Sequence, residues 1–335
     1  MPPPTATAIK PVLVQWILDT RTWYPEATET RQLETHASRA LALLTDPERR
    51  GVLKYFHVRD AKMALASALL KHLVVSKLAP VPWRSSIITR DERTKPVFRD
   101  PATGYSPVSF NVSHQAGIVA LVAVAHYPRP YGAAEVGVDV VCTSERRDRD
   151  LRILRDESEG WESFVDMHAD VFAPAETAYL KYQVLAAIPG LIPPKATLDQ
   201  IADGKLRAFY ALWALREAYV KLTGEALLAD WLRELEFRSF RPPRSTAAWD
   251  VPPDGENFSG DEDEARAQVI RKVDIYFHGE KLDDVNICLR SMGPDYMICT
   301  VVRTPDRKED ALGWKLGPYE ILDLDEVLDF AESQV

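Results

Sequence analysis

The sequence predicts an α+β protein of two pseudo-symmetric halves, each a long helix packed on a small, mostly antiparallel sheet. One order of elements, a strand, a long helix and then a group of strands, occurs twice along the chain. Sequence identity between the halves is negligible, so only the pattern repeats. We expect an N-terminal half over residues 1–130 and a C-terminal half over residues 131–335.

The first copy of this order lies in the N-terminal half. Residues 11–18 are apolar and predict a strand, and residues 29–44 carry an amphipathic helical pattern. Residues 59–78 are rich in alanine and leucine and predict the long helix. Residues 108–125 predict a β-hairpin, because two strand-like runs flank a turn that contains glycine.

The second copy lies in the C-terminal half. The strand predicted at 135–142 carries one carboxylate, Asp139, in its apolar interior. The stretch 206–224 has no proline and ends on Gly224, so we expect one helix of about five turns. Three further strands should form an antiparallel meander, at 269–278, 284–290 and 295–303.

Two segments receive no role. Residues 145–200 are mixed, with a charged stretch and a predicted helix at 175–187. Residues 241–266 are expected to form a disordered insertion, because seven acids and no base lie between Asp250 and Glu264.

Composition favours a cytoplasmic protein. The chain of 335 residues is 46% hydrophobic, enough for a sizeable core, and no apolar run is as long as a membrane span. The N-terminus has no signal-peptide pattern. The three cysteines form no C-x-x-C pair, which is typical of a reducing compartment. A cytoplasmic enzyme or binding protein without a membrane partner is therefore expected.

The net charge of −9 conceals a basic lobe. From Arg49 to Arg99 there are twelve Lys and Arg against three acids, a local charge of +9. This lobe indicates an anion bound locally. No nucleic-acid motif accompanies the charge, so no nucleic-acid partner is expected. Solvated helix faces are the alternative explanation for several of these residues, such as Lys54 and Lys77.

Two acids point to a metal site. Asp139, alone in a valine-rich strand, would be desolvated and unpaired unless it binds a cation. Glu217 and Lys221 either form a surface ion pair worth a few tenths of a kcal/mol, or lie in a buried helix where Glu217 needs a cation. With no His or Cys ligand nearby, the two carboxylates favour Mg²⁺, which completes its shell with water and phosphates.

A third and a fourth feature suggest a phosphate-bearing substrate. Ser113 and His114 lie at the hairpin tip, where a histidine is often merely exposed. Several cations in the basic lobe would be a surface patch on their own, but beside a metal they become a phosphate clamp. These cations are Arg59, Arg90, Arg93 and Lys95. Phosphate-loop, dinucleotide and protein-kinase motifs are missing from the sequence, which disfavours an ordinary NTPase or kinase.

Three motifs together resemble the 4′-phosphopantetheinyl transferases, in particular the large pseudo-dimeric Sfp type of fungal appearance. They are Phe110-Asn-Val-Ser-His-Gln115, Gly137-Val-Asp-Val140 and Phe209-Tyr-Ala-Leu-Trp-Ala-Leu-Arg-Glu-Ala-Tyr-Val-Lys221. The upstream Arg59-Asp-Ala-Lys62 and Lys95-Pro96 also match. The resemblance covers about residues 45–240, and more loosely the C-terminal strands.

The resemblance implies transfer of phosphopantetheine from coenzyme A to a serine of an acyl or peptidyl carrier protein, with release of 3′,5′-ADP. It implies that Asp139 and Glu217 bind Mg²⁺, and that Glu217 takes the serine proton directly or through water. Lys221 would steady the transferred phosphate or its leaving group. The remaining implied coenzyme A ligands are Ser113, His114 at the 3′-phosphate, Arg59, Arg90, Lys95 and Arg216, the last where the family often has lysine.

One departure from the family pattern concerns the metal shell. Some bacterial members carry a third acid two residues after the aspartate, and here that position is Val141. We expect a water molecule in its place.

Two rival functions stay open. One is a non-catalytic module that holds coenzyme A or a carrier protein; the other is a different Mg²⁺-dependent phosphotransferase or phosphohydrolase.

The sequence does not select among carriers of fatty acid, polyketide, peptide or lysine biosynthesis. A monomer is expected, because two fused halves already build one full site.

Overall fold

A computed structural model describes residues 10–156, 160–188, 190–225, 229–245 and 267–334. In the first half the strands and helices are β1 (Val12–Asp19), α1 (Leu33–His36), α2 (Ser38–Ala42), α3 (Asp46–Leu53), α4 (Val58–Leu78), β2 (Ile88–Arg90), β3 (Pro96–Phe98), β4 (Val108–Gln115) and β5 (Ile118–Ala125). The later elements are β6 (Glu135–Cys142), α5 (Arg147–Arg155), α6 (Gly160–Asp166), α7 (Pro174–Tyr182), α8 (Val184–Ala187), α9 (Leu198–Thr223), β7 (Leu235–Arg238), β8 (Val269–Ile270), β9 (Asp274–Phe277), β10 (Glu280–Lys281), β11 (Val285–Met292), β12 (Tyr296–Arg303), α10 (Lys308–Leu312), β13 (Glu320–Ile321) and α11 (Leu324–Ser333).

The two main sheets share one topology. In the first, β1 pairs antiparallel with β5, which pairs antiparallel with β4. In the second, β6 pairs with β12, which pairs with β11, again antiparallel. In each half the chain therefore forms a strand, then a long helix, then a hairpin, and the second strand of the hairpin pairs with the strand that precedes the helix. The prediction of two pseudo-symmetric halves is confirmed.

Alternation along β5 explains how the layers stack. Val119, Leu121 and Ala123 face α4, whereas Ala120 and Val122 face the second sheet. A strand buried on both sides must be apolar throughout, which accounts for its sequence Ile-Val-Ala-Leu-Val-Ala-Val-Ala. Helix α4 packs on the outside of the first sheet and α9 on the outside of the second, and each helix forms an apolar core with its sheet. A third apolar core lies between the two sheets.

Side chains of β4 join the halves along the edge strand β6. Asn111 Oδ1, Ser113 Oγ and Gln115 Oε1 accept hydrogen bonds from backbone N–H groups of β6 at 3.0, 3.2 and 3.1 Å. These residues are every second one along β4, so they share a face. The seam satisfies edge N–H groups that would otherwise need water or another chain.

Helix α9 begins at Leu198, earlier than the predicted Leu206. Thr197 and Gln200 cap its first turn reciprocally, with Thr197 N–H donating to Gln200 Oε1 at 2.9 Å. The predicted end at Gly224 is confirmed: this residue has φ +80°, the left-handed conformation that glycine adopts without strain.

Two predicted elements are divided in the structure. Residues 29–44 form a 3₁₀ turn followed by α1 and α2, not one helix. The strand predicted at 269–278 splits into β8, which pairs with β11, and β9, which pairs with β7 in a separate sheet. Most of the predicted insertion, residues 246–266, lies outside the described residues.

The last residues of the chain return to the N-terminal half. β13 runs parallel to β1, and Val327, Leu328 and Ala331 of α11 join the core around α4. The expected boundary at residue 130 stays a prediction, but this tail crosses it and ties the two ends of the chain together. Among the described residues, no helix is both long enough and apolar enough to cross a membrane.

Candidate active site

A glycine sets the distance between β6 and α9. Alternation along β6 points Gly137, Asp139 and Val141 toward α9. A Cβ atom on Gly137 would lie 2.1 Å from the carbonyl oxygen of Ala218 and 2.7 Å from the backbone nitrogen of Leu222. Only glycine allows this approach, which brings Asp139 beside the last turns of the helix.

Asp139, Ser113 and Lys221 form a compact cluster from three elements. Lys221 Nζ lies 2.5 Å from Asp139 Oδ1 and donates to Ser113 Oγ at 2.8 Å. Ser113 Oγ in turn donates to Asp139 Oδ1 at 3.1 Å. Asp139 is only 5% exposed, so its charge is compensated by Lys221 inside the protein.

Glu217 lies one turn before Lys221 and is partly buried. Burial, followed by the negative charge of Asp139, raises the pKa of Glu217 to about 7, although Lys221 opposes the shift. No described residue donates a hydrogen bond to the Glu217 carboxylate or forms an ion pair with it. A carboxylate with a pKa near neutrality and no fixed partner is suited to accept a proton or to bind a cation.

Lys95, which is predicted to bind coenzyme A, lies beside this cluster and also caps the C-terminal end of α9. Its ammonium donates to the carbonyl of Leu222 at 2.9 Å, and burial lowers its pKa. Arg93 donates to the carbonyl of Thr223 at 2.9 Å. Both cations stabilise the negative end of the helix. Lys95 also lines a cavity of about 390 Å³ with Glu217 and Lys221.

The N-terminal half contributes three further predicted ligands around the cluster: His114, Arg90 and Arg59. His114 is at the protein surface, yet partial desolvation and the charges of Lys221 and Lys71 lower its pKa. Arg90 donates to the carbonyl of Thr94 at 2.5 Å.

Arg59, a predicted coenzyme A ligand in the basic lobe, is exposed and lies near the other half. Its side chain is 64% exposed, and its guanidinium lies 3.8 Å from Glu145 of the other half. Apart from Arg90 and Arg216, each predicted site residue thus contacts or interacts with a residue across the junction of the halves, or lies within the cluster itself.

The assignment of Arg216 to cofactor binding needs correction. Its side chain is 1% exposed and forms a buried ion pair with Glu176. Its guanidinium also donates to the carbonyls of Leu232 and Leu235 at 2.5 and 2.8 Å. Although Arg216 adjoins Glu217 in sequence, one residue is a rotation of about 100° around a helix, so the two side chains face different surroundings.

Sequence reasoning missed the residues that hold the site together. Asn111 and Gln115 bind β6, and Gln115 Nε2 also donates to Glu145 Oε2 at 2.8 Å. The available signal was a polar residue at alternate positions of β4, facing a neighbouring strand. A second cavity of about 260 Å³ adjoins the site, lined by aromatic side chains that include Trp213 and by Gln115 and Val141.

Two family models match the chain, one in each half. A model described as 4′-phosphopantetheinyl transferase, N-terminal, matches residues 22–126, and the model of the 4′-phosphopantetheinyl transferase superfamily matches residues 135–263. The two matches adjoin at the junction where the cluster lies.

Relatives match the chain over most of its length. It is 46% identical to 4′-phosphopantetheinyl transferase 1 of Fusarium mangiferae over 96% of each chain. It is 33% identical to 4′-phosphopantetheinyl transferase NpgA of Emericella nidulans, over 89% of this chain and 84% of the relative. The L-aminoadipate-semialdehyde dehydrogenase-phosphopantetheinyl transferase of Homo sapiens is 27% identical over 39% of this chain and 38% of its own. This chain belongs to the 4′-phosphopantetheinyl transferase family of enzymes.

Proposed function

We propose that the enzyme transfers 4′-phosphopantetheine from coenzyme A to a serine of an apo carrier protein, in a Mg²⁺-dependent reaction that releases 3′,5′-ADP. The observation that carries this proposal is the carboxylate of Glu217, which has no hydrogen-bond or ion-pair partner in the described part of the chain and lies beside the Asp139–Lys221 pair. This arrangement supplies a proton acceptor, a negative pocket for a cation and a lysine for phosphate oxygens within one junction.

The donor set suits Mg²⁺. Glu217 is close enough to Asp139 that, besides burial, the negative charge of Asp139 raises the pKa of Glu217, and a divalent cation relieves such repulsion. The described residues contain no group of three or more His, Cys, Asp or Glu placed to hold a metal. A hard cation that keeps waters and substrate phosphates as ligands fits two carboxylates. When bound, Mg²⁺ would neutralise charge on the pyrophosphate.

The proposed reaction is a displacement at phosphorus. The serine oxygen forms a bond to the pantetheine-linked phosphorus, and the bond from that phosphorus to the bridging oxygen breaks. Glu217 accepts the serine proton, directly or through water, and the bridging oxygen leaves with 3′,5′-ADP. Lys221 donates to a phosphate oxygen as charge develops there.

Charge and cavities around the cluster support the choice of donor. The guanidinium groups of Arg59 and Arg90 and the imidazole of His114 lie on one side, where an additional phosphate of the donor would bind. The cavity beside Trp213 is lined by aromatic rings and by charged side chains such as Arg146 and Arg149, which suits a pantetheine arm that combines apolar groups with amides.

Product analysis tests the proposal against both rivals. Wild-type protein is incubated with coenzyme A, Mg²⁺ and an apo carrier, and nucleotides are separated by chromatography. We expect 3′,5′-ADP in equal amount to the modified carrier. A binding module would release no nucleotide, and a different phosphotransferase or phosphohydrolase would release another product.

A matched variant separates binding from chemistry. Replacing Glu217 by Gln should lower the transfer rate by roughly 100-fold or more while coenzyme A still binds. Equal rates for wild type and E217Q would contradict the role of Glu217 as proton acceptor.

A further inference from the structure

Helix α4 is open to the outside along one narrow stripe. From Ala61 to Ser76 every residue is buried except Ala64, Ser67 and Lys71. These three residues are spaced by three and four, so they lie on one side of the helix. Lys71 is the only one of them with a long polar side chain, and its ammonium can leave the core only on this side.

The same side of α4 faces the predicted phosphate ligands. Val108 and Phe110 of β4 pack into the core around α4, so alternation places His114 on the face of β4 that is turned to this helix. Lys71 is close enough to both His114 and Arg90 for their charges to interact. Three groups that can carry positive charge therefore converge between α4, the hairpin tip and β2.

No described residue gives the Lys71 ammonium a hydrogen bond or an ion pair. Glu48 attracts it, but the oxygens of Glu48 already accept hydrogen bonds from Thr45 and contact the ring nitrogen of His72 at 3.0 and 3.1 Å. Burial, with repulsion from Arg90, lowers the pKa of Lys71. A desolvated cation without a counterion is unfavourable, and an anion bound here would remove that cost.

We infer that Lys71 is a third ligand, with Arg90 and His114, of the terminal 3′-phosphate of coenzyme A. The inference rests on the proposed function and adds a residue outside the three motifs. Adjacent residues of β4 divide the two phosphate positions of the donor. Ser113 bonds Asp139 and Lys221, where the pyrophosphate would bind. His114 lies on the face of the strand that is turned to α4, within range of the charges of both Lys221 and Lys71.

The test compares ligands that differ only in the 3′-phosphate. Binding of coenzyme A and of 3′-dephospho-coenzyme A is measured by calorimetry at fixed ionic strength, for wild type and for Lys71→Met. Charge-assisted hydrogen bonds predict that K71M weakens binding of coenzyme A by about tenfold or more. Binding of the dephospho ligand should change by less than about twofold, because it lacks the group that Lys71 contacts.

Two further variants keep the result interpretable. Lys77→Met removes a cation from the same helix, where the ammonium is exposed and lies over the ring of Trp16, and it should leave both affinities unchanged. Lys71→Arg should restore part of the preference for coenzyme A, and it provides the comparison if K71M is poorly folded.

The outcomes separate this inference from the proposed function. If wild type binds coenzyme A more tightly than the dephospho ligand and K71M keeps the full preference, Lys71 does not contact the phosphate. Equal losses for both ligands would also overturn the inference. If wild type binds neither ligand, both the inference and the proposed function are wrong.

Discussion

The ammonium of Lys221 lies 2.5 Å from the carboxylate of Asp139, in a junction where Asp139 is almost fully buried. Lys221 thus compensates a charge that a metal ion would otherwise compensate. Because both groups also bond Ser113, the seam between the halves and the acid that we assign to the metal are parts of one network.

Lys221→Met should expose the cost of that buried charge. In EDTA we expect the free energy of unfolding to fall by roughly 1–4 kcal/mol, because Asp139 loses the cation with which it pairs among the described residues. Added Mg²⁺ should stabilise K221M more than wild type, since the ion then has no competitor for Asp139. Thermal unfolding with and without Mg²⁺ measures both effects. Unchanged stability of K221M in EDTA would contradict the pairing.

The raised pKa of Glu217 predicts a pH-dependent stability in the absence of metal. The folded protein holds this proton up to about pH 7, whereas the unfolded chain loses it near the ordinary glutamate pKa of 4.5. Stability from Glu217 is therefore present at low pH and is lost as pH rises through that window. Relative to wild type, Glu217→Gln should become more stable between pH 5 and 8, by about 1–3 kcal/mol after allowance for partial exposure.

Denaturant titrations of both proteins in EDTA at several pH values measure this difference. A difference that stays flat with pH would mean that Glu217 ionises normally. Because the comparison is between wild type and E217Q, other titrating groups cancel to first order.

Gly137→Ala should damage both stability and activity. The added Cβ would overlap the backbone of α9 at 2.1 Å, and backbone cannot yield as a flexible side chain does. We expect a loss of roughly 2–4 kcal/mol and a large loss of transfer, because Asp139 moves away from Glu217 and Lys221.

Gly51→Ala is the matched control for that substitution. It lies in α3 with nothing within 4 Å of the new Cβ, so alanine should leave activity unchanged and raise helix stability slightly. If G137A were as stable and active as G51A, close packing of β6 on α9 would not be needed.

Arg216→Met tests whether Arg216 stabilises the fold through Glu176 and does not bind coenzyme A. Removing one partner of a buried pair should lower the free energy of unfolding by about 3–5 kcal/mol, because Glu176 stays buried without its cation. At a temperature where the variant is folded, its KM for coenzyme A should change by less than about twofold. A large rise in KM with little loss of stability would favour the original assignment.

The fold was predictable where burial dictates composition. β6 and the hairpin β4–β5 have the expected bounds to within one residue, because β5 and β6 are buried on both faces and apolar, while β4 alternates apolar and polar residues at strand period. The start of α9 was not predictable from apolar periodicity. Its first turn is exposed and carries no apolar stripe, and the Thr197–Gln200 cap marks where it begins.

The site was predictable as a set of residue types but not as a set of neighbours. Asp139 and Glu217 are noticeable because acids are uncommon among apolar residues. Arg216 was misassigned because its partner, Glu176, lies in another helix, and no local pattern connects them. Lys71 was missed because the sequence alone does not show which side of a buried helix remains open.

The most direct test of the central claim is the intact mass of an apo carrier protein after incubation with this enzyme, coenzyme A and Mg²⁺. The account predicts a mass increase of one phosphopantetheine, abolished by EDTA and greatly slowed in E217Q. An unmodified carrier under conditions where coenzyme A is bound would contradict the proposed transfer. Full modification in EDTA would contradict the role of the metal.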